Sequence, residues 1–299
     1  MPSDSPARVF DRKLLLRRRA RVAQTLRDYD FLLERVADDL AERLALIRRS
    51  FPLAVNLGAH HGLVSERIAG IAGIEQIIDT DGSLQALAHC SGLRVLADEE
   101  ALPFKDGALD LVVSGLSLHL INDLPGTLVQ IRRALKPDGL LLASLLGGET
   151  LKELRQAWLQ AEAEISGGAS PRVAPFADVR ALGALLQRAG FSLPVVDTEI
   201  VTVTYKDPFA LMRELKAMGA SNMLEARRRQ PVTRALLVRA AEIYAEQFGT
   251  NDGRIPATFE ILTLTAWAPD PSQQQPLRPG SATARLADAL GVKERKLGE

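Results

Sequence analysis

The sequence predicts a doubly wound α/β fold: a seven-stranded sheet covered on both faces, with N-terminal helices before it and a helical insertion before the last strand. Three observations predict it. Short apolar runs at 53–57, 74–78, 93–97, 109–114 and 139–146 alternate with stretches of helical period or turn residues. Two further runs, 194–205 and 255–267, bracket a helical stretch at 208–248. The first run also feeds a loop carrying Gly58 and Gly62 and then a helical pattern. That is the corner where parallel sheets present bare backbone N–H groups to a ligand.

Taken in order, residues 1–12 form an extended lead with Pro2 and Pro6. From Lys13 to Arg49, leucines at 26, 33, 40 and 44 and Ile47 recur at helical spacing, predicting one helix or a pair that caps the opening of the sheet. The basic cluster Arg17, Arg18, Arg19 and Arg21 reads as a solvated helix face. Asp123, then Leu124 and Pro125, marks a helix start, and 136–139, Lys-Pro-Asp-Gly, a turn into the fifth strand. Helices follow at about 150–165 and 178–189, separated by Gly167, Gly168 and a loop with two prolines. The expected divisions are a helical cap at 1–50, a core at 51–206, the insertion at 207–250, the last strand at 251–268 and a flexible tail at 269–299. The tail reading rests on four prolines and three glutamines between 269 and 280.

Composition sets bounds. Of 299 residues, 46% are apolar and 25% charged, which suits a globular chain, and a net charge of zero removes any global pull toward nucleic acid. Cys90 is the single cysteine, so neither an internal disulfide nor a thiolate zinc site is expected, and a reducing, cytoplasmic setting is. No run approaches the ~20 apolar residues of a membrane-spanning helix, and no cleaved leader is read at the N-terminus.

Candidate site residues cluster at strand ends. Gly58 and Gly62 give the tight corner, with His60 and His61 between them; His61 reads as a solvent-facing turn residue. Asn56 stands where a carboxylate would accept from a ligand ammonium, and its amide oxygen still accepts. Asp81 lies nineteen residues beyond Gly62, the place of a carboxylate that takes ribose hydroxyls, with Asp79 beside it. Asp98 and Glu99 close the third strand, where a carboxylate accepts from an adenine amino group.

The segment 101–104, Ala-Leu-Pro-Phe, then 109–114, Leu-Asp-Leu-Val-Val-Ser, Leu118-His119, Asn122-Asp123-Leu124-Pro125 and 135–139 resemble class I S-adenosylmethionine methyltransferases, which have a Rossmann-like seven-stranded sheet. Gly147-Gly148-Glu149-Thr150, the stretch from Gly167 to Phe176, Met218-Gly219-Ala220-Ser221-Asn222 and Ile255-Pro256-Ala257-Thr258-Phe259 narrow this. With Val9-Phe10-Asp11-Arg12 they are similar to the complex I assembly factor 5 family, protein arginine hydroxylases on a methyltransferase fold. The malonyl carrier-protein methyltransferases of biotin synthesis are a related, less specific match. The sequence departs from the family pattern at Asn56, at His60 in place of the middle glycine, and at Leu120, where tryptophan is frequent.

The resemblance implies S-adenosylmethionine as cofactor, bound by Asn56, Gly58, His60, Gly62, Asp81, Asp98, Glu99 and Ser114. It also implies a protein substrate in the iron–sulfur arm of complex I (NADH dehydrogenase), reached in the cytoplasm or peripherally at the inner membrane. For methyl transfer, His119 is the candidate base or substrate contact, followed by Asn122 and Asp123, the latter also a helix cap. For hydroxylation, the four histidines offer no facial His-Asp/Glu-His iron triad, and no metal site is expected. Three readings stand: an arginine-modifying enzyme of complex I assembly, a carboxylate methyltransferase, and a non-catalytic assembly module.

Overall fold

In the computed structural model, which describes residues 8–274 and 291, the chain divides into two units, Met1–Pro269 and Asp270–Glu299. Most of the second unit, expected as a tail, lies outside the described residues. The first unit is built on a seven-stranded sheet in the order β3-β2-β1-β4-β5-β7-β6. Its strands are β1 (Leu53–Leu57), β2 (Gln76–Asp81), β3 (Leu93–Leu96), β4 (Leu109–Gly115), β5 (Leu135–Leu146), β6 (Ser192–Tyr205) and β7 (Ile255–Trp267). The first five run parallel; β7 is antiparallel to both β5 and β6. The order reverses at β1 and β4, so their carboxyl ends flank the crevice where open α/β sheets bind ligands.

The continuous apolar runs follow from burial on both faces. Alternate residues of one strand enter opposite cores: Ala54 one, Val55 the other, and likewise Leu111 and Val112, or Leu140 and Leu141. One face is covered by α2 (Phe31–Ala45) and α3 (Leu63–Ile68), and a short α4 (Leu84–Leu87) follows β2. The opposite face carries α5 (Leu124–Ala134) and α7 (Val179–Arg188). In α2 the predicted stripe packs inward, with Leu40 and Leu44 fully buried.

Beyond the sheet, α6 (Lys152–Ser166), α8 (Pro208–Ala217) and α9 (Arg234–Phe248) gather a third core around Phe259 and Tyr244. The Tyr244 hydroxyl donates to the Pro256 carbonyl at 2.7 Å. The 208–248 stretch is therefore interrupted by a loop at 218–233 and is packed against β7 and α6.

The 13–49 stretch forms the pair of helices, the second of the two expected forms: α1 (Arg12–Val22) is separated from α2 by a single 3-10 turn, Leu26–Tyr29. α2 packs on the sheet face, whereas α1 reaches the strand ends. One local expectation is corrected. The 136–139 segment is a bulge inside β5: Leu109 pairs with Leu135, yet Leu111 pairs with Leu140. Asp138 takes a φ of 61° to absorb the extra residues.

Candidate functional site

At the β1 corner, Gly58 and Gly62 adopt φ of 70° and 88°, which glycine alone takes without strain. A Cβ on Gly58 would overlap the Ser117 side chain, so the glycine also lets the post-β4 loop close against the β1 loop. Ala59 N–H donates to the Thr80 carbonyl, and His60 N–H to Asp81 Oδ2 at 3.2 Å. The corner is thus tied to the end of β2.

Asp81 and Glu99 are fully buried at the strand ends. Asp81 Oδ1 accepts from Ser83 N–H at 2.8 Å, and its Oδ2 also faces Arg19 Nη1 at 3.2 Å. Arg19 Nη1 donates to Glu99 Oε1 at 2.7 Å, and Arg19 Nη2 to Ser117 Oγ at 2.8 Å; Ser117 in turn donates to Glu99. Arg12 pairs with Glu99 and, at 2.6 Å, with the more exposed Asp98. Burial alone would raise the Glu99 carboxyl, but the Arg19 and Arg12 guanidinium groups outweigh it and hold it well below the usual carboxylate range. Two guanidinium groups face three carboxylates, leaving the cluster net negative.

Beside this cluster lies a cavity of about 360 Å³, with apolar walls from Leu15, Leu33, Trp158, Met212 and Phe259. Arg19, His60 and His119 face it from the strand ends. His60, Leu116 and Leu151 in its wall all have left-handed backbone, with φ of 53°, 52° and 53°. Non-glycine residues held there cost about 1–3 kcal/mol each, and such strain concentrates at functional sites. His60 Nε2 lies 3.1 Å from the Gly115 carbonyl and so carries the ring proton. His119 packs edge-on to Phe176, with ring centroids 5.3 Å apart, and its buried Nδ1 has no hydrogen-bond partner.

Burial, reinforced by Arg19, depresses His60 to about 4 and His119 to about 3, so both are neutral at pH 7. Their folded-state values lie below the unfolded value of about 6.5. The stabilisation is therefore complete above pH 6.5 and is lost as pH falls from 6.5 toward 4. Urea unfolding across that range should show declining stability, and the paired replacement His60→Gln with His119→Gln should flatten the decline. A wild-type profile flat between pH 6.5 and 4.5 would contradict this burial.

The structure ties Gly58, His60, Asp81, Asp98 and Glu99 together at the strand ends through Ser117, Arg12 and Arg19, with His60 and His119 in the adjoining cavity wall. Gly62 caps α3 against Cys90, and the other expected residues are held as follows. Asn56 is fully buried, donating from Nδ2 to Ser65 Oγ at 2.9 Å and Asp79 Oδ1 at 3.0 Å, while its Oδ1, the acceptor expected for a ligand, has no partner. Its register partner on β2 is Asp79, so the carboxylate missing at 56 stands one strand over. Ser114 Oγ is spent on the Leu57 carbonyl at 2.7 Å. Asp123 caps α5 through Gly126 N–H at 2.8 Å. Asn122 Oδ1 accepts from Val9 and Phe10 N–H, both at 2.8 Å, anchoring the N-terminal lead. Neither Asn122 nor Asp123 faces the cavity.

His61 is not a solvent-facing turn residue: it is 1% exposed, with Nε2 2.9 Å from Asp30 Oδ2. Arg19 is likewise buried rather than solvated. Arg12 and Arg19 are the residues that sequence reasoning passed over; their spacing of seven places both on one helical face, a signal hidden by the surrounding arginines.

Sheet order, glycine corner and strand-end carboxylates define the class I methyltransferase fold. The Methyltransferase domain family matches residues 55–143. The Haemonchus contortus phosphoethanolamine N-methyltransferase 2, solved with phosphomonomethylethanolamine and S-adenosylhomocysteine, superposes with a TM-score of 0.53 at 15% identity, over 83% of this chain and 58% of that one. Among curated relatives, the Danio rerio protein named "Arginine-hydroxylase NDUFAF5, mitochondrial" is 41% identical over 94% of this chain and 89% of its own. A Gallionella capsiferriformans malonyl-[acyl-carrier protein] O-methyltransferase is 34% identical over 88% and 93%. The chain belongs to the NDUFAF5 arginine-hydroxylase family, within the methyltransferase superfamily.

Proposed function

We propose that the protein is an S-adenosylmethionine-binding enzyme that hydroxylates an arginine of a complex I subunit during assembly. The observation that carries this is the 41% identity to an arginine-hydroxylase along almost the whole chain, including the segments outside the methyltransferase core. The residues fit the cofactor chemically. Asp81 has the acceptors a ribose needs, Glu99 and Asp98 those an adenine amino group needs, and Gly58 the close backbone approach. When bound, S-adenosylmethionine supplies an electrophilic sulfonium methyl group, which serves methyl transfer; hydroxylation of an arginine C–H also takes a two-electron oxidant and an oxygen atom, which a co-substrate such as dioxygen with a reductant would bring. His119, neutral and with a free ring nitrogen, stands in the wall where a substrate proton or hydrogen-bond donor is received.

The cavity favours a second reading. Its largely apolar wall suits an acyl chain, as in a carrier-bound carboxylate methyltransferase such as the malonyl relatives. A third, non-catalytic assembly role is the outcome if neither chemistry is found. Among the described residues no helix is long and apolar enough to cross a membrane. The names of the arginine-hydroxylase relatives give a mitochondrial location, which gives the cytoplasmic expectation no support. Mass spectrometry of complex I subunits from a deletion strain separates the readings. Loss of one oxygen mass on an arginine is expected; an unchanged subunit alongside a missing carboxyl methyl ester on a carrier-bound acid would move the assignment to the second.

A further inference from the structure

Helix α1 is held unlike the rest of the fold. Its buried side chains are Leu15 and Arg19, against six in α2, so a buried guanidinium carries a large share of its docking alongside few apolar contacts. Arg12 and Arg19 reach down from one face onto Asp98, Glu99, Asp81 and Ser117. Leu16 lies against Gly82, so close that a Cβ there would sit 2.6 Å from Leu16 Cδ2. Every oxygen of Asp81 and Glu99 is thereby engaged, by Ser83 and His60 N–H, by Ser117 or by the two arginines.

The outer attachments of α1 avoid the sheet. Arg18 donates to the Ser221 and Asn222 carbonyls, Asp11 pairs with Arg227 at 2.9 Å, and Phe10 bridges to Leu224, all in the loop between α8 and α9. On its inner side α1 supplies Leu15, Arg19 and Val22 to the cavity wall.

We propose that α1 is a displaceable strap whose docked form closes the nucleoside subsite, so that cofactor binding requires Arg19 and Arg12 to leave Asp81 and Glu99. This rests on the reading of those carboxylates as the cofactor subsite. A ligand accepted by Asp81 competes with Arg19 for the same oxygen, because both carboxylates are fully covered while α1 is down. Displacing α1 opens the cavity in the same movement, so cofactor and substrate enter through one gate. The docked fraction lowers the apparent cofactor affinity in proportion, as for any site whose competent state is partly populated.

Hydrogen–deuterium exchange of the full chain, with and without saturating S-adenosylmethionine, reads the strap directly. Amides of 12–22 are expected to exchange faster when the cofactor is bound, while 58–62 and 76–81 slow. In parallel, Arg19→Met and the double variant Arg12→Met with Arg19→Met are expected to bind S-adenosylmethionine about tenfold more tightly or better than wild type. Saturable binding with α1 protected or unchanged, or weaker binding by both variants with retained circular dichroism, overturns the strap and leaves the subsite standing. Binding absent from wild type but present in the double variant supports the strap. Binding absent from both rejects the subsite itself, and the strap with it.

Discussion

Glu99→Gln should cost about 3–5 kcal/mol of folding stability, the usual consequence of removing one partner from a buried ion pair. For a unit of this size that is a fall in Tm of roughly 6–20 °C. Glu99 is fully buried and accepts from Arg12, Arg19 and Ser117 at once. A glutamine keeps the volume but offers one acceptor oxygen and no charge, leaving Arg19, which is 7% exposed, with only the longer 3.2 Å pairing to Asp81 as its ion pair. Arg12 retains Asp98 and suffers less. The double variant Glu99→Gln with Arg19→Met should lose less than the two single changes summed, because each removes the charge that the other leaves unpaired. Because Glu99 titrates below its usual range, its stabilisation is present above about pH 4.5 and is lost as pH falls below that. Its replacement should flatten only that acid limb. Urea unfolding checks both points, and a loss under about 1 kcal/mol would mean the cluster is screened like a surface pair.

The second large effect falls on binding. Asp81→Ala should weaken S-adenosylmethionine affinity by about 100-fold, since two hydroxyl hydrogen bonds to one carboxylate are together worth roughly 3 kcal/mol. The same change removes the acceptor of His60 N–H and Ser83 N–H, loosening the corner that presents Gly58. Asp81→Asn keeps an acceptor and should lose less. Calorimetric titration of the three proteins measures the order, and equal affinities would place the ribose elsewhere.

Most of the fold was legible in the sequence because the strands are buried on both faces and therefore continuous in apolar residues. The limits of β1, β4 and β7 follow directly from those runs. What periodicity could not supply was tertiary competition. The break between α1 and α2 has no proline or glycine to announce it, and the bulge at 136–139 has the composition of a turn. The site divides in the same way. That Gly58, Asp81 and Glu99 meet was legible, since all three lie at or just after strand ends; their role toward a cofactor is the proposal. Ser114 and Asn122 resemble ligand contacts but spend their hydrogen bonds on the protein's own backbone. Arg19 was hidden because one arginine in a basic helix looks like the next until the helix is placed. His61 was hidden because its buried partner, Asp30, lies thirty-one residues earlier in the chain.

The most direct test is a crystal structure of the full chain grown with S-adenosylhomocysteine. The nucleoside is expected between the Gly58 corner, Asp81 and Glu99, with the Arg19 guanidinium withdrawn from Asp81. A nucleoside bound elsewhere, or one bound there with Arg19 still seated on Asp81, would contradict the assignment of these strand ends as a cofactor subsite closed by α1.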